Sequence, residues 1–179
     1  MPPETLSDFD RHAWCRALFA SPHLIPHPTT SRNPSSTNSS ESYSLFSSTL
    51  WNERGLRAVQ SFEKPGANEW LVLYSLGMGL NGPGEIVHGG IVMTILDSAM
   101  AVKAFRTVGE RPVVTTEFKG KLFRKVKAPN VVLCRAWVEA EEGDGRVIYT
   151  GGRVEDGEGN AFLEATARFV RLEEIKSNL

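Results

Sequence analysis

The 179-residue chain sets 20 Lys and Arg against 21 Asp and Glu, a net charge of −1, with 41% hydrophobic and 23% charged residues. Such a balance suits one globular domain with a core of its own, and it gives no global attraction to nucleic acid or an anionic membrane. No stretch approaches the roughly 18 unbroken apolar residues of a membrane span, and Glu4, Asp8 and Asp10 stand where a secretory or transit leader would be basic or apolar. Cys15 and Cys134 lie far apart in unlike segments, so a disulfide framework is not expected and a reducing, cytoplasmic setting is. The terminal Ser177-Asn178-Leu179 offers a peroxisomal alternative, although it lacks the basic middle residue of that signal.

In chain order, residues 8–19 predict a short amphipathic helix capped by Ser7 or Asp8. From residue 26 the composition turns to Ser, Thr, Asn and Pro, which cannot bury enough surface to offset its ordering entropy. The division expected is an N-terminal helical extension over 1–25, a linker over 26–43, a folded domain over 44–173 and a tail over 174–179. Strands are predicted at 44–51 and 56–62 as a pair, then at 70–76. A Gly-rich loop follows, and residues 88–105 form the most apolar stretch, a helix expected to be covered on most sides. The rest reads as strands over 113–123, 131–140, 146–154 and 161–172. In the last of these Leu163, Ala165, Ala167 and Phe169 share one face, small enough to let a helix pack close. The fold class expected is α+β, an antiparallel sheet wrapped on one central helix.

Asp97 is the sharpest chemical signal. It lies inside the most apolar helix, where an ionised carboxylate is expensive unless paired or functional. The plainer reading puts it on a polar strip with Thr94 and Ser98. Nine residues earlier, His88-Gly89-Gly90 opens the helix. Unpaired amides there stabilise negative charge, and glycine lets a ligand approach the backbone; otherwise the pair makes only a tight junction. Residues 77–82 fit the spacing G-x-G-x-x-G, but Pro83-Gly84 follows and no βαβ unit surrounds them, so a dinucleotide site is rejected. Lys119, Lys121, Arg124, Lys125 and Lys127 form a basic run, either a solvated sheet edge or a phosphate site for a nucleotide-bearing group. His23 and His27 stand four apart among prolines that forbid a helix, so no metal pair is expected.

Residues 84–90 (Gly-Glu-Ile-Val-His-Gly-Gly), the helix with Asp97, and Val114-Thr115-Thr116-Glu117-Phe118 resemble the PaaI-like branch of the hotdog-fold acyl-CoA thioesterases. The likeness covers roughly residues 44–172. It implies that Gly89 offers its N–H to the thioester carbonyl, that Asp97 acts as general base or nucleophile, and that Thr115 orients the water. His88, Gly90, Asn81, Thr116, Lys121 and Arg124 are the implied substrate contacts, with His88 more structural than catalytic. Successive strand residues face opposite ways, so only one of Thr115 and Thr116 can serve. The resemblance also implies an acyl-CoA substrate with no other cofactor and no metal, and a homodimer or dimer of dimers with the site shared between subunits. A proline usual near the end of the next strand is replaced by Lys125. Two rival functions stand beside hydrolysis: a non-catalytic acyl-CoA-binding protein, and a hydratase or dehydratase for which His88 would be the only core histidine.

Overall fold

The computed structural model describes residues 7–27 and 45–172; the tail over 174–179 and the linker beyond His27 lie outside these. The elements are α1 (Ser7–Asp10), α2 (Ala13–Phe19), β1 (Ile25–His27), a π-helical turn (Leu45–Leu50), β2 (Leu56–Glu63), β3 (Trp70–Leu76), a 3₁₀ turn (Met78–Leu80), α3 (Gly89–Thr107), β4 (Val113–Leu122), β5 (Asn130–Glu142), β6 (Val147–Glu155) and β7 (Ala161–Arg171). The strands make one sheet in the order β1-β2-β3-β5-β6-β7-β4, antiparallel at every pairing. With α3 laid across one face, this is the expected α+β hotdog arrangement.

Three local expectations are corrected. The single helix over 8–19 is two, broken at His12, whose backbone is extended. Phe9 and Cys15 are both fully buried, yet six residues apart they would point about 120° away from each other on one straight helix; the break turns both toward the sheet. Leu45–Leu50, expected within a strand over 44–51, form a helical turn. Strand β2 ladders with β3 along its length and with β1 at Ser61–Glu63, and this segment meets it only at the isolated bridge between Trp51 and Leu56. Pro26 and His27, read as linker, belong to β1.

Helix α3 buries Val92, Ile95, Leu96, Ala99, Met100 and Ala104 against the sheet, while Ile91, Met93, Ala101 and Val102 are only partly covered. The expectation of cover on most sides is therefore not met within one copy of the chain. Close approach comes from β6 and β7. A Cβ on Gly152 would lie 3.0 Å from Leu96 Cδ1 and from Met100 Cγ, and Ala165 and Ala167 continue the shallow floor.

The opposite face of the sheet is covered by the N-terminal segment. Phe9 and Cys15, with Trp14, Leu18 and Leu24 around them, pack on Ala58, Phe62, Leu71, Leu73, Val131 and Leu133. Strand β3 is consequently buried along its whole length. Asp8 pins this cover: its carboxylate, 5% exposed, accepts from Arg57 at 2.9 Å and from the Ser75 hydroxyl at 2.7 Å. The N-terminal helices thus sit across the sheet from α3 and do not form a lid over Asp97.

Two substitutions test this packing. Removing the Asp8 carboxylate (Asp8→Ala) leaves Arg57 and Ser75 without their acceptor, and should cost about 2–3 kcal/mol with faster proteolysis within residues 7–27. Thr150 is fully buried, and its hydroxyl has no partner among the described residues. Thr150→Val keeps the shape and removes the orphan, so chemical denaturation should show a gain of about 1 kcal/mol.

Candidate active site

The start of α3 is held from two directions. His88 N–H donates to Leu80 O at 2.9 Å, and Val87 N–H donates to Val126 O at 2.8 Å. The Gly-rich loop before it serves backbone contact: Gly77 and Gly79 donate to Gly55 O and Arg54 O, and a Cβ on Gly77 would lie 2.5 Å from Arg54 O. His88 is the N-cap, its Nδ1 accepting from Gly90 N–H at 3.0 Å. An accepting Nδ1 places the ring proton of the neutral imidazole on Nε2. The amides of Ile91 and Val92 turn back to His88 O. Gly89 N–H is then the amide of this first turn with no acceptor among the described residues, and it opens on a groove.

That groove, about 280 Å³, is walled by Ile86, Val87, Val92, Leu122, Phe123 and Val126, with Gly89, Arg124 and Lys125 at its edges. Leu122 Cδ1 lies 3.0 Å from where a Cβ on Gly89 would stand, so any larger residue there would press on the wall. Leu122 and Phe123 are 44% and 47% exposed. The sequence reading missed this wall; its signal was two consecutive apolar residues at the end of a strand, where alternation would place only one inward. Asn81 lies in the loop before His88, and its Oδ1 is buried without a partner among the described residues.

Asp97 is half-buried on α3, and Thr115 Oγ1, from the edge strand β4, donates to its Oδ1 at 2.9 Å. Burial pushes the carboxyl above its ordinary value and the Thr115 bond pulls it partly back. A bulge between Thr115 and Glu117 separates the two threonines. Thr116 faces elsewhere, donating to Arg168 O and accepting from Arg168 Nη1 at 2.9 Å.

The basic run does not gather at Asp97. Lys119 pairs with Glu117, and Lys121 lies 5.1 Å from the Phe123 ring centroid. Both lysines border a recess of about 570 Å³ that also takes in Trp137, Arg153 and Glu164; their strand positions, alternating with Phe118 and Gly120, put them on the face away from α3. Arg124 is consumed locally: it donates to Asp156 Oδ2 at 2.9 Å and to the carbonyls of Asn160 and Ala161, and it stacks on Phe162. Burial alone would raise the Asp156 carboxyl, but the Asn160 and Glu158 amides and Arg124 hold it at about 2. Among the described residues no group of three or more His, Cys, Asp or Glu side chains is placed to hold a metal, and no helix is long and apolar enough to cross a membrane.

An antiparallel sheet wrapped on a helix that carries a free N-terminal amide and an acid defines a hotdog-fold protein. Residues 84–161 match the family model of the thioesterase superfamily. A conserved protein of Pseudomonas aeruginosa is 25% identical with a TM-score of 0.54, covering 60% of this chain and 83% of its own. A Bacillus halodurans protein solved with CoA is 24% identical with a TM-score of 0.54, covering 59% and 68%. A Haemophilus influenzae thioesterase shares the fold at 11% identity with a TM-score of 0.59, covering 68% and 82%. Among curated proteins no sequence matches the chain.

Arg124 is thereby assigned to the β6–β7 turn. Arg124→Gln should lower the melting temperature by a few degrees and raise the Asp156 pKa measured by carbon-detected NMR. An unchanged Asp156 titration would contradict the assignment.

Proposed function

We propose that the protein hydrolyses acyl-CoA thioesters, with Gly89 N–H polarising the carbonyl, Asp97 as general base on water and Thr115 orienting that carboxylate. The observation that carries the reading is the pairing of one unengaged helix-start amide with one half-buried acid on the same helix. A preorganised amide stabilises the oxyanion as charge develops. A carboxylate lifted above its ordinary range is a better proton acceptor near neutrality than a fully solvated one. The CoA-bound Bacillus halodurans relative supports CoA as the carrier of the acyl group.

Eight residues of α-helix separate Gly89 from Asp97, about 12 Å along the axis. An amide and a base that act on one carbonyl through a single water must lie within about 10 Å. That separation supports a homodimer in which Asp97 and Thr115 of one copy meet Gly89 of the other. Strand β4 carries Thr115 and is an edge of the sheet, bonded only to β7 among the described strands, so a second copy has a ladder to join next to Asp97.

CoA release from short, medium, long and aromatic acyl-CoAs is the direct test. Asp97→Asn should lower kcat by about 10²–10⁴-fold while the protein stays folded, and near-normal turnover in the variant would remove Asp97 from the mechanism. In the wild type, kcat/KM should fall on the acid side with a midpoint above the usual carboxylate range, since the base must be ionised to work. Tight acyl-CoA binding by wild type without any turnover would favour the non-catalytic reading instead.

A further inference from the structure

We propose that Lys125 anchors the phosphate at the outer end of a phosphopantetheine arm, and that the groove beside Gly89 holds the arm itself; the inference rests on the thioesterase reading. The groove is lined by three kinds of feature: an unengaged amide at Gly89, hydrocarbon from Leu122, Phe123 and Val126, and the cation of Lys125. A pantetheine thioester presents a matching set: a carbonyl, an uncharged arm and a phosphate.

Two other cations of the basic run are committed. Arg124 is bound to Asp156 and to two carbonyls, and Lys121 stands over Phe123 beside the recess on the other face. Lys125 is exposed, lines the groove, and has no ion pair or hydrogen bond among the described residues. Its flexible stem can lie along the apolar wall while the ammonium stays at the rim. An acyl chain in the same groove would give the cation nothing to meet, so charge complementarity favours the arm as occupant. The phosphate belongs either to free CoA or to the prosthetic group of a carrier protein.

Calorimetry of CoA and of phosphate-free pantetheine on the full chain tests the proposal without relying on turnover. The wild type should bind CoA more tightly, with an advantage that shrinks as salt rises. Lys125→Gln should weaken CoA binding by about three- to tenfold and flatten its salt dependence, and Lys125→Arg should restore both. CoA binding unaffected by Lys125→Gln, equal losses for CoA and pantetheine, or no CoA binding by wild type would each overturn it. CoA binding that depends on Lys125, in a protein that hydrolyses no thioester, would instead sink the enzymatic reading and leave the anchor standing. A kcat/KM comparison between acyl-CoA and the same acyl group on a carrier protein identifies the source of the phosphate.

Discussion

Helix α3 lies on the backbone of β6 because Gly152 has no Cβ to hold Leu96 and Met100 away, and the position of every functional group follows from that contact. A low-lying helix brings Asp97 within a hydrogen bond of Thr115 on β4. It also brings the first turn of α3 down beside the β4–β5 connection, where Leu122, Phe123 and Val126 wall the groove at Gly89. A methyl group at residue 152 would lift the helix, and both ends of the site would shift together.

Two aspartates show how the fold spends its electrostatics. Asp156 is surrounded by donors and sits at about 2. Its folded value is depressed, so its stabilisation is present above the unfolded carboxylate range and is lost as pH falls through about 2. Asp97 has burial and a single hydroxyl, and its value is raised. There the folded state binds the proton more tightly than the unfolded one, so stability is greatest below the unfolded value and falls as pH climbs through the raised one. Ionised Asp97 is a cost borne by the fold near neutrality. Structural turns elsewhere, such as the one locked by Arg124, help to offset it.

Much of this was legible in the sequence where one period or one motif governs. The small inward residues of β7 announced a close helix, and the run Trp70–Leu76, apolar but for Ser75, fits a strand buried on both faces. The helix with Asp97 and its start at His88 were readable from spacing, and the threonine that reaches the acid was implied by the family resemblance. What escaped depends on partners distant in the chain. Nothing local in residues 45–51 tells that they meet β2 only at the bridge between Trp51 and Leu56. Nothing near Arg124 tells that Asp156 and the Asn160 carbonyl will claim it, so a basic run that looks uniform as a string separates into a locked arginine, lysines on one face and one free lysine at a groove. Asp8 gave no sign that it would be buried, since Arg57 and Ser75 lie 49 and 67 residues away.

Strand β1 is three residues long, contains Pro26 and closes one side of the sheet, so the two borders of the sheet are unequal. A proline-bearing border has no full set of amides to offer an incoming strand, whereas β4 does. Association through strand borders is therefore unequal: β4 offers a full ladder, whereas the opposite border is shortened to three residues at β1 and to the part of β2 that β1 leaves uncovered. The limit on association through that border thus lies in a segment remote from Asp97.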